Sequence, residues 1–188
     1  MGSRLNRIAT RTGDNGTTSI GGQDRTGKGD LIVEVIGVLD EVNVSVGRCN
    51  RNGELDWVQN DLFYAGAYFC GGDLIKLNHK MGEALDKINT SAQVLTEALP
   101  PLTDFVLPKD AIDEHQARVD IRRAERTVCR WMENTTDRDT ANAVEIFLLP
   151  YLNRLSDFFF SFARLRSDPT NDDFTWDIKE TSKSGDAK

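Results

Sequence analysis

Five apolar side chains between Ala117 and Met132 recur at a spacing that only an α-helix can gather on one face. Ala117, Ile121, Ala124, Val128 and Met132 stand at i, i+4, i+7, i+11 and i+15, which is the stripe of a helix packed on a core. The stretch that contains the start of this stripe, HQARVDIRRAER from His115 to Arg126, also carries Arg118, Arg122 and Arg126 at i, i+4 and i+8. Each step of four residues drifts about 40°, so the three guanidinium groups form a second stripe about 12 Å long. At roughly 100° per residue it lies about 130° from the apolar one, on the flank of a bundle where a neighbouring surface can cover it. Like charges at this spacing weaken an isolated helix. Either acidic neighbours offset them (Asp120, Glu125 and Glu133 are at hand) or an anion long enough to touch several arginines does.

A chain of 188 residues fits one domain and can bury a real core. Its formal net charge of -7 argues against broad nucleic-acid binding, which wants a basic protein. A basic row in an acidic protein points instead to a small, highly charged anion. The three cysteines, Cys49, Cys70 and Cys129, form no CxxC pair or zinc spacing and read as reduced core thiols. No apolar run reaches membrane-spanning length, so no membrane partner is expected. A cytoplasmic location is expected, or a mitochondrial matrix if a transit peptide was removed ahead of Met1-Gly2-Ser3.

Three regions are expected: a Gly/Thr-rich arm over 1–30, a helical bundle over 31–166, and a polar tail over 167–188 in which Phe174 and Trp176 could close over something. The arm reads RIATRTGDNGTTSIGGQDRTGKGD over 7–30. Glycines there can turn backbone N–H groups toward an anion and hydroxyls add donors. The segment equally fits a flexible arm or a hairpin turning at Asn15-Gly16. It is neither a Walker A loop nor a GxGxxG loop.

The bundle region predicts five helices. The first, over 31–51, starts with β-branched alternation but continues at helical spacing past strand length. It carries Asp40, a solvated residue or half of an ion pair. A second spans 55–77, weakened by Gly71-Gly72, and a third spans 83–99, stopped by Pro100-Pro101. The fourth runs from about Asp110 to Asn134. The fifth, from about Thr140 to Arg166, is strongly apolar, and Pro150 should kink it. Asn153 follows one turn on among apolar neighbours, a cap for the loosened turn or a reader of a polar ligand. The fold class is all-α.

A triphosphate explains the arm and the arginine row together, because charge-assisted bonds to arginine are strong. A di-metal bundle would need Glu-x-x-His motifs on facing helices; His79 and His115 are the only histidines and neither has a Glu three residues before it. No His base is placed for a Ser or Cys nucleophile.

The segments TRTGDNGTTS (10–19), Lys28, IGVLDEVN (36–43), FVLP (105–108), ARVDIRRAER (117–126) and YLNRLSD (151–157) occur in this order along nearly the whole chain. Together they resemble the PduO-type ATP:corrinoid adenosyltransferases. The combination is specific, although each segment alone is weak. The resemblance implies a five-helix bundle in a homotrimer, with ATP and cob(I)alamin at subunit interfaces. It implies ATP binding by Thr10, Arg11, Thr12, Gly13, Asp14, Gly16, Thr18, Ser19 and Lys28 of the arm. It adds Arg122, Arg123, Glu125 and Arg126 of the RRAER segment, and Asn153. Arg118 is implied to pair with Asp40 across the subunit boundary, and Phe105 to cover the lower face of the corrin ring.

The implied reaction transfers the 5′-deoxyadenosyl group of ATP to a Co(I) corrinoid, with release of triphosphate. Arg122 is expected to serve the leaving group, with Arg118 and Asp40 completing the catalytic set. Mg²⁺ is expected on the ATP phosphates with no protein side chain as ligand. A corrinoid reductase and an adenosylcobalamin-dependent acceptor enzyme are the implied further partners.

Three departures stand out. Lys109-Asp110 follow LP where the family usually has glycines, and the stretch to Arg118 is a few residues shorter. Arg11 stands where lysine is common. Leu31-Ile32 stand where a Pro-Arg pair is frequent. The first departure touches the corrinoid side and motivates the alternative, a non-catalytic ATP- or corrinoid-binding homologue acting as carrier or regulator. A purely structural bundle is the third reading.

Overall fold

A computed structural model describes residues 11–22, 25–102 and 104–167. Thr10, Phe174 and Trp176 lie outside them.

The described part of the arm, from Arg11, holds a turn and then a two-stranded antiparallel hairpin, β1 (Thr17–Ser19) and β2 (Arg25–Gly27), with Thr18 opposite Thr26. The chain therefore reverses after β1, not at Asn15-Gly16. Gly21 and Gly22, at φ 57° and 88°, supply the left-handed backbone of that reversal. Gly21 also docks the arm: a Cβ on it would come within 1.8 Å of the Cys70 carbonyl oxygen, so no larger residue fits. Ile20 is buried beside it in sequence. The arm is thus anchored on the bundle by one apolar side chain and one close backbone approach.

The helices are α1 (Leu31–Cys49), α2 (Asp56–Tyr68), α3 (Leu74–Glu97), α4 (Ile112–Asn134), α5 (Arg138–Ala143) and α6 (Leu149–Arg166). A π-helical segment, Val144–Leu148, joins α5 to α6, so these three pieces form one continuous rod and the bundle has five helices. The expected all-α class holds. The packed pairs are α2 with α1, α1 with α4, α4 with α6, α6 with α3, and α3 with α2. That sequence of neighbours is a closed ring around one core, filled by Met81, Ile88, Ile121, Leu148, Leu152, Leu155 and Phe159.

Two boundaries differ from the sequence reading. The second helix does not run to 77; it ends at Tyr68, and Gly71 at φ 71° turns the chain. The third helix then starts at Leu74, capped by the Asp73 carboxylate, which accepts from the N–H groups of Ile75 and Lys76. An Asp four residues before Leu77, and eight before Met81, marks a new start, not a weakened interior. In the fifth rod, Pro150 sits at the opening of α6, directly after the π segment. Proline has no N–H to donate and crowds the preceding turn. The rod absorbs this by one wider turn, in which the Leu149 N–H reaches the Val144 carbonyl. Of the cysteines, only Cys49 is in the core; Cys70 and Cys129 are half-buried, and all three are free thiols.

Candidate active site

α4 presents its side chains in three directions. Ala117, Ile121, Ala124 and Val128 are fully buried, as their spacing predicts. A second face meets α1: Arg123 pairs with Glu41 and lies 3.9 Å from Glu34, Asp120 accepts from Ser45 Oγ at 2.5 Å, and Asp113 pairs with Arg48. The third face carries Arg118 and Arg122 toward α6. Arg123 is therefore committed to α1, although it adjoins Arg122 in sequence. One position on a helix turns a side chain by about 100°, enough to separate these roles.

A cavity of about 550 Å³ opens between α4, α6 and the 104–108 link. Phe105, Arg118, Arg122, Val119, Asp157 and Phe160 are among its walls. Phe105 is 73% exposed and so presents apolar surface at the cavity. Arg118 is half-buried, with its guanidinium 5.4 Å from the centre of the Phe160 ring. Burial, and then the charge of Arg122, hold its pKa below the ordinary value, with Asp157 opposing. Arg118 nonetheless stays charged. His115, also on the wall, packs edge-on to Phe160 at 6.4 Å between centroids. Burial and the neighbouring Arg118 push its pKa down, so the imidazole is neutral at pH 7. The cavity thus combines an apolar interior, a neutral His and a cationic rim.

Arg122 and Arg126 are exposed, and Arg126 donates to the Arg122 carbonyl at 2.9 Å. Asp120, one of the candidate neutralisers, is engaged by Ser45 and Gln116. Glu125 and Glu133 form no ion pair with the stripe among the described residues, so Glu125 does not orient the arginines by direct pairing. Asn153 is exposed, not buried among apolar neighbours as its sequence context suggested. Its carbonyl accepts from Ser156 Oγ at 2.9 Å. It heads a stripe of α6, Asn153, Asp157 and Phe160 at i, i+4 and i+7, whose last two members line the cavity. This spacing was readable in YLNRLSDFFF, yet sequence reasoning singled out Asn153 alone and missed Asp157 and Phe160.

The arm residues gather elsewhere. Arg11 (φ 57°), Thr12, Asp14 and Gly16 (φ 77°) lie exposed in the turn before β1. Gly13 stands beside Lys28: a Cβ on it would come within 3.1 Å of Lys28 Nζ. The Lys28 N–H donates to the Gly16 carbonyl at 2.9 Å. Thr18 and Ser19 belong to β1. Asp40 is exposed on α1 and lines a smaller cavity of about 270 Å³ with Phe63, Gly66 and Cys70, near the arm's anchor. Within one chain, then, Phe105, Arg118 and Arg122 share one cavity, whereas Asp40 lines another and stands on the side of α1 that faces α2.

The Lys109-Asp110 loop is tightly closed. The Lys109 N–H donates to the Leu107 carbonyl at 2.8 Å, and Asp110 Oδ1 accepts the Ala111 N–H at 2.8 Å. Ala111 has φ 48°. A left-handed alanine is the steric cost of a loop that places no glycine at this position.

Among the described residues no group of three or more His, Cys, Asp or Glu side chains could hold a metal ion. No described helix is long and apolar enough to cross a membrane.

Comparison with known proteins matches residues 8–166 to the family described as cobalamin adenosyltransferase. A Cupriavidus metallidurans protein named cobalamin adenosyltransferase is 34% identical over 178 residues, covering 88% of this chain and 90% of the relative. A corrinoid adenosyltransferase of Citrobacter freundii is 35% identical over 174 residues, covering 85% and 94%. Among solved structures, a variant PduO-type ATP:corrinoid adenosyltransferase from Lactobacillus reuteri complexed with ATP superposes with a TM-score of 0.71 at 29% identity. The match covers 84% of this chain and 93% of that one. A second variant of that type, complexed with cobalamin and ATP, gives 0.63 at 27% identity, covering 84% and 92%.

Proposed function

The chain belongs to the cobalamin adenosyltransferase family, and we propose that it transfers the 5′-deoxyadenosyl group of ATP to a Co(I) corrinoid. The observation that carries this reading is the cavity whose wall joins the exposed Phe105 to Arg118 and Arg122. An apolar, aromatic wall suits a flat macrocycle, and the arginine rim suits a polyphosphate beside it. In the transfer, the cobalt electron pair attacks the 5′ carbon of ATP, the carbon–oxygen bond breaks, and triphosphate leaves. The nucleophile is the substrate metal, so the protein need supply no general base. Its tasks are to align cobalt with carbon, neutralise the leaving group and exclude water.

Arg122 faces the leaving triphosphate, with Arg126 one turn on and Asn153 on the neighbouring helix. Lys28 and the Gly13–Gly16 turn hold the phosphates from the arm side. Mg²⁺ would arrive on the ATP phosphates and supply further neutralisation there. Phe105 covers the corrin ring where a lower cobalt ligand would otherwise sit, which eases reduction to Co(I). The reading includes a homotrimer. Asp40 and Arg118 stand on different sides of the chain, so a pair between them requires two copies. A reductase that delivers Co(I) and an acceptor that takes the product complete the reading.

Anaerobic mixing of protein, ATP and chemically reduced cobalamin tests it: the adenosylcobalamin spectrum grows in. No spectral change, under conditions where calorimetry shows ATP binding, refutes it. Sedimentation of wild type and Asp40→Ala tests the assembly, and an unchanged, active trimer in the variant argues against the Asp40–Arg118 pair.

A further inference from the structure

Arg25 spends its guanidinium on the arm's own turn. It lies in β2, and its guanidinium reaches back across the hairpin to both ends of the preceding turn. One Nη2 donates to the Thr12 carbonyl and also, at 2.8 Å, to the Thr17 carbonyl; Nε donates to Thr17 Oγ1 at 2.8 Å. The turn it closes, 12–17, contains Gly13, Asp14 and Gly16. Other bonds shape the same loop. Asn15 Oδ1 accepts the Thr17 N–H at 3.2 Å and the Thr17 hydroxyl at 2.8 Å. Asp30 accepts the Gly27 N–H at 2.9 Å and also the Thr26 hydroxyl, which ties β2 to the start of α1.

Two physical consequences follow. The peptide between Thr12 and Gly13 is trans, so its carbonyl and N–H point in opposite directions. With the Thr12 carbonyl turned onto Arg25, the Gly13 N–H is turned away from it. Capturing two carbonyl oxygens also cancels part of the negative potential that a polyphosphate would otherwise meet on approach. A lysine cannot reproduce this, because the planar guanidinium presents several donors in a fixed fork and an ammonium does not.

We propose that Arg25 is a positioning residue that closes the 12–17 turn and thereby sets nucleotide affinity without touching the nucleotide. The inference rests on the arm's proposed role toward ATP. The test compares wild type, Arg25→Ala and Arg25→Lys in the full chain. In Arg25→Ala the KM for ATP rises on the order of tenfold or more, while kcat at saturating ATP and the KM for cobalamin hold. Loss of uniform binding leaves this signature. Arg25→Lys recovers only part of the affinity, and added guanidinium ion partly rescues the alanine variant. Amide hydrogen exchange over residues 13–18, measured without ATP, speeds up in both variants.

An unchanged KM for ATP in Arg25→Ala overturns the proposal. Full recovery by lysine also overturns it, because it would mark Arg25 as a point charge on the phosphates. If wild type binds no Mg-ATP by calorimetry, the functional reading fails together with the nucleotide role. The exchange experiment then still decides loop closure, and unchanged exchange refutes that as well.

Discussion

Replacing Arg166 with alanine should be among the most destabilising substitutions outside the apolar core. Its guanidinium closes three helix ends at once. Nη1 donates to Glu114 Oε1 at 2.7 Å, in the first turn of α4, and to the Cys49 carbonyl at 2.6 Å, the last residue of α1. Nη2 pairs with Glu54, and the guanidinium stacks 4.2 Å from the centre of the Phe162 ring on its own helix α6. Glu114 is 1% exposed, and without Arg166 its nearest cation is Arg51 at 3.8 Å. The alanine variant therefore strands a buried carboxylate, and breaking such a pair costs about 3–5 kcal/mol. Against a typical total of roughly 5–15 kcal/mol this is a large share, and for a chain of this size it lowers Tm by roughly 10 °C. Urea unfolding at fixed protein concentration measures it, the concentration being held because assembly would add stability. A double variant, Arg166→Met with Glu114→Leu, should recover most of the loss, because an apolar pair of similar volume needs no desolvated charge. If Arg166→Ala unfolds within about 0.5 kcal/mol of wild type, or if the double variant is as unstable as the sum of the singles, the buried-charge argument is wrong.

Arg122 is exposed and makes no ion pair among the described residues, so Arg122→Ala should abolish most turnover while shifting stability by no more than about 0.5 kcal/mol; steady-state kinetics and a thermal melt read the two effects. Phe105→Ala, at a 73% exposed position, should leave the melt unchanged and slow adenosyl transfer, measured by the anaerobic spectral assay. Ala111→Gly should raise stability by about 1 kcal/mol, because glycine takes the left-handed backbone without steric cost; chemical denaturation checks the sign. Asp61 has its pKa raised to about 6 by burial, although the Tyr151 hydroxyl bond and Lys87 pull it down. The folded state therefore binds more protons than the unfolded state between pH 4 and 6, and this group's contribution to stability falls as pH rises through that window. Asp61→Asn should stabilise the protein at pH 7 by about 1 kcal/mol, since solvent screens a half-buried carboxylate, and flatten the pH dependence there; a variant less stable at pH 7 than wild type would contradict this.

The fold was legible wherever one periodicity dominated. Ala117, Ile121, Ala124 and Val128 are buried as their spacing demands, and α1 and α4 end within two residues of their expected limits. Legibility failed where two effects competed. Across 69–73 the apolar pattern runs on from Tyr68 to Leu77, and only the pairing of Gly71 with the capping carboxylate of Asp73 reveals a break. At Pro150 the sequence announces a disturbed helix but not its form, because a kink and a wider turn accommodate the missing N–H equally well. At Asn153 the apolar neighbours suggested burial. However, Tyr151, Leu152, Leu155 and Ser156 turn to the core, and 153 and 157 fall between them on the outer face.

The arginines of α4 show why a motif locates a site more readily than it divides the labour within it. RRAER places three guanidinium groups within five residues, yet helical geometry sends Arg122 to the cavity, Arg123 to the carboxylates of α1, and Arg126 back onto the Arg122 carbonyl. The charge of Arg123 is spent on Glu41 and Glu34, which hold α1 against α4. Arg118 is partly desolvated on the Phe160 ring. What remains for an anion is Arg122 with Arg126. Repulsion along the stripe is least offset at these two residues, since the described carboxylates of α4 either serve other partners or stand apart from them. A bound polyphosphate would relieve that repulsion, and so should stabilise α4 as well as occupy the site. Arg122→Ala should therefore lose much of the thermal shift that Mg-ATP gives wild type, whereas Arg123→Ala should keep the shift and lose basal stability. If Arg123→Ala abolished the shift at an unchanged basal Tm, the roles assigned to these two neighbours would be reversed.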